Sequence, residues 1–170
     1  MNKNEAALVL LTTLAATSAR AGGLYLGASL GVMDNNVKGF DDATNAGFLV
    51  GYDVARFDVV ALSVEGELTT TVSEGNVEFD GVKGNWDIDT QAAYVAARIG
   101  DTLYAKVRYG ALREDVSVSA GFSQSESDSG GSWGASLGWM VTPQFGVQVD
   151  GTVVEGDVNY WNAGMVYRFQ

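Results

Sequence analysis

The chain has 170 residues, a net charge of −11 at neutral pH, no Cys, no His, one Pro and 22 Gly. Its length suits a single domain, its acidity argues against nucleic acid as a partner, and without Cys it has neither a disulfide framework nor a thiolate metal site. The lack of His removes the commonest general base and the commonest transition-metal ligand.

The first residues read as a secretory leader. Lys3 gives a modest positive start, Ala6–Ala16 is apolar, and Ala19-Arg20-Ala21 has the small-x-small form of a cleavage site. The apolar run is too short for a membrane-spanning helix, which needs about 20 residues. The sequence therefore predicts an exported protein, with a signal peptide at 1–21 and one domain at 22–170.

From residue 22 onward the recurring pattern is a segment of about ten alternating residues closed by a turn or a polar loop. Leu24, Leu26, Ala28, Leu30 and Val32 alternate with Tyr25, Gly27, Ser29 and Gly31. A polar loop, Asp34–Thr44, leads to Phe48, Val50, Tyr52 and Val54, against Gly47, Leu49, Gly51 and Asp53. A tight connection at 55–58 gives way to Val60, Leu62, Val64, Gly66 and Leu68, against Ala61, Ser63, Glu65 and Glu67. An acidic loop, Thr70–Asn85, carries Glu74, Glu78 and Asp80.

The fourth strand sets Ile88, Thr90, Ala92, Tyr94 and Ala96 against Asp89, Gln91, Ala93, Val95 and Ala97. Gly100-Asp101 is a turn, and the fifth strand sets Leu103, Ala105, Val107, Tyr109 and Ala111 against Tyr104, Lys106, Arg108 and Gly110. The longest loop, Arg113–Gly131, is rich in Ser, Gly and acid. Its Val116, Val118 and Phe122 suggest a hairpin that runs on before turning. Trp133, Ala135, Leu137, Trp139 and Val141 alternate with Gly134, Ser136, Gly138 and Met140. After Thr142-Pro143-Gln144 come Phe145, Val147, Val149, Gly151 and Val153, against Gly146, Gln148, Asp150 and Thr152. A short acidic loop with Glu155 and Asp157 precedes the last strand, where Trp161, Ala163, Met165, Tyr167 and Phe169 oppose Tyr160, Asn162, Gly164, Val166 and Arg168.

Long connections near 39, 78, 122 and 156 alternate with short ones near 56, 101 and 143. Eight strands so connected predict an all-β, antiparallel, up-and-down transmembrane barrel, with its short turns in the periplasm. In the chosen apolar phase no position is charged. The opposite phase holds Asp53, Glu65, Glu67, Asp89, Lys106, Arg108, Asp150 and Arg168, in a chain that is 18% charged. The apolar phase is also too bulky to fill the inside of eight strands, so it faces lipid. Tyr52, Trp139, Phe145, Tyr167 and Phe169 then fall near the turn rim, and Trp133, Trp161 and Tyr109 near the loop rim, like the aromatic girdles of membrane barrels.

The inward charges predict a lumen network. Glu65 and Glu67 match the spacing of Lys106 and Arg108, Asp150 and Arg168 lie on adjacent strands, and Asp53 and Asp89 are further members. Buried charges need partners, so this outweighs reading the two glutamates as a glycosidase pair. Such a network would plug the lumen. Ser132 and Ser136 read as small lumen fillers. Loop carboxylates Asp34, Asp41, Asp42, Glu114, Asp115, Glu126 and Asp128 lack EF-hand spacing and read as a solvated acidic surface. No metal, cofactor or catalytic residue is predicted.

Leu24-Tyr25-Leu26-Gly27-Ala28-Ser29-Leu30-Gly31, Val50-Gly51-Tyr52, Val64-Glu65-Gly66 and Gly164-Met165-Val166-Tyr167-Arg168-Phe169 stand in order along the chain. On these, residues 22–169 resemble the eight-stranded OmpA/OmpX-type, opacity-like outer-membrane barrels. The resemblance implies a Gram-negative outer membrane, contact with lipid and lipopolysaccharide, and a C-terminal signal at Gly164, Met165, Tyr167 and Phe169 for the barrel-assembly machinery. Gln170 departs from a pattern that ends on Phe. The peptidoglycan-binding domain of full-length OmpA has no counterpart, so that anchoring role is not implied. The predicted function is non-enzymatic, structural or surface-interacting (envelope integrity or adhesion to a host or surface ligand) through the acidic loops. The alternative is a narrow porin-like channel for small solutes or ions.

Overall fold

A computed structural model describes residues 23–35, 40–79, 82–119, 123–154 and 158–169. The expected leader at 1–21 lies outside them, as do Asp80, Phe122, Glu155, Asp157 and Gln170. The strands are β1 (Leu24–Asn35), β2 (Ala43–Phe57), β3 (Val60–Ser73), β4 (Gly75–Phe79), β5 (Val82–Ile99), β6 (Leu103–Ser119), β7 (Ser123–Met140), β8 (Phe145–Val153) and β9 (Val158–Arg168). β3 pairs with the lower part of β5, from Val60↔Ile99 to Thr69↔Thr90, and β4 with its upper end, from Gly75↔Trp86 to Phe79↔Val82. The two act as one stave, and the molecule is a closed, antiparallel, eight-strand barrel.

The ring closes where β1 meets β9, in register from Tyr25↔Arg168 to Asn35↔Val158. Closure leaves the membrane-level ladders without an edge, as lipid requires. Two short connections are turned by left-handed residues, Asp58 at φ 52° and Gly100 at φ 98°, the backbone region that tight turns demand.

The two faces sort by polarity. Leu103, Tyr109, Leu137, Val95 and Trp161 are each more than 60% exposed, whereas Lys106, Arg108, Glu65 and Ser132 are buried. Water would penalise such an outer face, and lipid rewards it. Tyr109, Trp133, Trp139, Phe145, Trp161, Tyr167 and Phe169 all stand exposed on it, with Tyr52 half-buried there. Tyr167 and Phe169 meet edge to face, their centroids 5.0 Å apart.

A barrel this narrow admits large inward side chains only beside missing ones. A Cβ on Gly51 would lie 2.1 Å from Tyr25 Cζ, and one on Gly138 would lie 2.1 Å from Tyr104 Cζ. Each tyrosine therefore lies over bare backbone of a nearby strand.

Two sequence expectations change. The first is the phase of the fourth predicted strand, now β5. Ile88, Thr90, Tyr94 and Ala96 are buried inside, while Asp89, Gln91, Ala93 and Val95 face out. Neither face of this segment is clearly apolar. Interior partners decide it: Tyr94 reaches Ser132, and Arg98, two positions beyond Ala96, reaches Asp53. Tyr94 is thus a lumen residue, and Asp89 lies outside the lumen network.

The second change is in the loops. Most of 70–85 and 113–131 is strand: β3 continues to Ser73, β4 follows, and β6 pairs with β7 as far as Ser119↔Ser123. Thr69-Thr70-Thr71-Val72 favours extended backbone, and the added ladder satisfies main-chain groups that an irregular loop would leave to water. The anticipated lengthening of the 113–131 hairpin is present, and the four-stranded sheet β4–β5–β6–β7 forms a crown above the barrel.

Candidate functional site

At the middle of the lumen, β3 and β6 present the same two-residue spacing across the ring. Lys106 Nζ donates to Glu65 Oε1 at 2.6 Å, and the Tyr25 hydroxyl donates to the same oxygen at 2.7 Å. Arg108 grips Glu67 with both terminal nitrogens, at 2.7 and 3.1 Å, and donates to Thr152 Oγ1 at 2.6 Å. Its guanidinium also lies 3.8 Å from Glu65 and 4.5 Å from the centre of the Tyr94 ring. This forked geometry is among the strongest that a carboxylate and a cation make, and through Thr152 on β8 it links opposite staves of the ring.

Toward the turn rim, one oxygen of Asp53 accepts from both Arg98 (3.3 Å) and Arg168 (3.2 Å). The expected Asp150–Arg168 pair is absent. Asp150 instead accepts from Ser136 and from the Gln148 amide, at 2.7 and 2.9 Å. Two β9 side chains set this outcome: Arg168 stacks over Tyr25 at 4.8 Å, and Asn162 stands level with Asp150.

The structure thus brings Asp53, Glu65, Glu67, Lys106, Arg108 and Arg168 into two clusters, keeps Asp150 nearby in a neutral setting, and leaves Asp89 outside. Sequence reasoning missed Arg98, Tyr25, Tyr94, Tyr104 and Gln148. Arg98 was the available signal, because a charge two positions past Ala96 marks that phase as the inner one.

Toward the loop rim the lumen turns apolar. Met33, Ala43, Trp86, Ile88, Leu112, Val154 and Tyr160 are all buried in one cluster, with Val116, Val118 and Phe40 packed on it. Trp86 Nε1 donates to the Asp41 carbonyl at 2.7 Å, and Asn45 donates to the Ile88 carbonyl at 2.7 Å, so the buried polar atoms at its edge are paired. The bore is therefore closed twice, by charge in the middle and by a hydrophobic lid above.

Outside this lid the crown is acidic. Asp87, Asp89 and Glu74 lie close enough that partial burial first, and then the charges of Asp89 and Glu74, raise the Asp87 carboxyl above its ordinary range. A carboxyl raised on folding binds its proton more tightly when folded, so its contribution is greatest at low pH and is lost as pH rises through the raised value. Amide-exchange protection of the β5–β6 crown, corrected for intrinsic rates, will therefore increase as pH falls through the acid range, and Asp87→Asn will flatten that dependence. Among the described residues no group of three or more carboxylates converges to hold a metal.

Charge inward, apolar side chains outward and an edgeless eight-strand ring together describe a membrane barrel. The sequence profile of the outer membrane protein beta-barrel domain matches residues 6–169. The chain belongs to that family. It is an outer-membrane protein. Its fold is similar to that of OprG from Pseudomonas aeruginosa (TM-score 0.64, 12% identity, covering 88% of this chain and 97% of that one). It is also similar to Neisserial surface protein A (TM-score 0.61, 11% identity, 88% and 98%) and to Ail, the attachment invasion locus protein of Yersinia pestis (TM-score 0.59, 17% identity, 86% and 97%). No curated protein sequence matches the chain. At these identities the likeness establishes the outer-membrane barrel fold.

Proposed function

We propose that this barrel is a non-enzymatic surface-interaction protein whose working part is the crown sheet, with the lumen serving stability. One observation carries the reading. β8 leaves β7 at Trp133↔Val153, so among the described residues the strand Ser123–Ser132 is paired only with β6 along its length. Its outer edge offers main-chain donors and acceptors above the membrane, although the Ser129 amide already donates to Asp128 Oδ1 at 2.8 Å. Such an edge recruits an extended partner strand.

Glu126 and Asp128 on that edge, with Asp115 beside them on β6, select for basic segments and repel acidic ones. Ail has been solved with the heparin analogue sucrose octasulfate. A polyanion of that kind suits this crown poorly, because the described carboxylates there outnumber Lys83 and Arg113. The outward aromatics Tyr52, Trp133, Trp139, Phe145, Trp161, Tyr167 and Phe169 would hold the barrel at its two interfaces against lipid and lipopolysaccharide. Gly164, Met165, Tyr167 and Phe169 would be read by the assembly machinery.

An extended peptide of alternating Lys and Thr tests the reading on the refolded barrel. Bound peptide will protect the amides of Ser123–Ser132 from exchange, and Glu126→Gln with Asp128→Asn will weaken binding and flatten its salt dependence. Protection spread evenly over the crown, or none at all, would count against the edge. The channel alternative predicts steady single-channel conductance in planar bilayers. The doubly closed bore predicts none beyond brief, rare openings.

A further inference from the structure

The turn rim holds a feature that the surface role does not use. A cavity of about 460 Å³ opens there, lined by Arg56, Arg98 and Arg168 together with Thr102, Thr142 and Met140. Three arginines and one carboxylate, Asp101, line one mouth of a chain whose net charge is −11. Arg56 pairs with Asp101 at the exposed edge and is balanced by it. Deeper in, Arg98 and Arg168 share a single carboxylate, Asp53, and their side chains are only 5% and 16% exposed.

Two buried cations on one anion leave a positive charge without a direct counter-ion, and buried charge is costly unless it is compensated. The next carboxylate inward, Asp150, is held by Ser136 and Gln148. It connects to Arg98 only through Gln148 and Tyr104, whose ring lies 5.4 Å from the Arg98 guanidinium. A second observation points the same way. Arg168 Nε is buried with no hydrogen-bond partner, and so is Asp53 Oδ1, so the cluster does not satisfy its own polar atoms.

We infer that this vestibule binds a phosphate group, with Arg98, whose Nη1 also donates to the Gly100 carbonyl at 3.0 Å, and Arg168 as the inner cations and Arg56 as the outer, entry-side cation. Planar guanidiniums fit phosphate oxygens in pairs, and Thr102 and Thr142 line the same mouth, the Thr142 hydroxyl accepting from the Gln144 and Phe145 amides. Because short turns face the periplasm in such barrels, the site faces inward, away from the crown. Two sources carry this chemistry there: the headgroup of a lipid in the inner leaflet, and a soluble phosphate ester.

The test uses the refolded full barrel in a maltoside micelle, with the Arg Nε–H signals followed by NMR. Inorganic pyrophosphate is titrated in one arm and short-chain phosphatidylglycerol in the other, each against sodium chloride of equal ionic strength. The Arg98 and Arg168 signals will shift saturably in at least one arm. Response to pyrophosphate alone indicates a soluble ester, and response to the lipid alone indicates a headgroup. Arg98→Gln will weaken binding about tenfold, the effect of one charge-assisted hydrogen bond. Arg56→Gln, an exposed change that leaves the buried cluster intact, will weaken it about threefold and serves if Arg98→Gln fails to fold, as judged by heat-dependent gel mobility. If neither probe moves the signals beyond the chloride control, or if the folded variants titrate like the parent, the site does not exist.

Discussion

Glu65→Gln will lower the unfolding free energy of the refolded barrel by about 3–5 kcal/mol, the penalty for stranding a buried cation. Glu65 compensates Lys106 at 2.6 Å, faces Arg108 at 3.8 Å and accepts the Tyr25 hydroxyl at 2.7 Å. The amide keeps the shape and removes the charge, leaving Lys106, buried at 3% exposure, without its counter-ion. Adding Lys106→Met should recover part of the loss, because a neutral pair of similar volume no longer carries an unmatched charge. Equilibrium urea unfolding in lipid vesicles measures both. A Glu65→Gln cost under about 1 kcal/mol, or a double variant worse than the single one, would show that water hydrates the mid-lumen and that the pairing contributes little.

The second large effect lies on the opposite face. Val107→Arg, about midway along the lipid-level part of β6, will cost about 2–4 kcal/mol, while Leu103→Arg at the turn rim will cost about 0–1 kcal/mol. Both side chains are outward and well exposed, at 60% and 73%. A water-facing barrel would tolerate the two equally, so the depth dependence is diagnostic. The same unfolding measurement reads it.

These residues also show where the sequence was legible. Seven strands carry an uncharged, mostly apolar phase opposite the phase that holds their charges, and lipid on one side with a narrow bore on the other permits only one assignment. The 88–97 segment has small or polar residues in both phases. Its orientation depends on contacts far away in sequence, Tyr94 with Ser132 and Arg98 with Asp53, which local alternation does not encode.

The site shows the same division. Matched spacing made Glu65 and Glu67 readable as partners of Lys106 and Arg108. The Asp53 cluster depends on the register at which β9 closes on β1, and adjacency alone suggested Asp150 for Arg168. The crown read as loop because its polar composition resembles one. Ladder pairing makes it sheet, and only Trp86, Ile88 and the valines of β6 hint at the lid beneath.

The β1–β9 seam, from Tyr25↔Arg168 to Asn35↔Val158, joins the first strand of the barrel to the last. Until β9 is in place, β1 and β8 each present a bare ladder that hydrocarbon cannot solvate. A chain cut short anywhere in its final strand therefore lacks a stable resting state in the bilayer. The seam ties insertion to completeness: only with β9 in place does every stave of the ring have a neighbour on both sides.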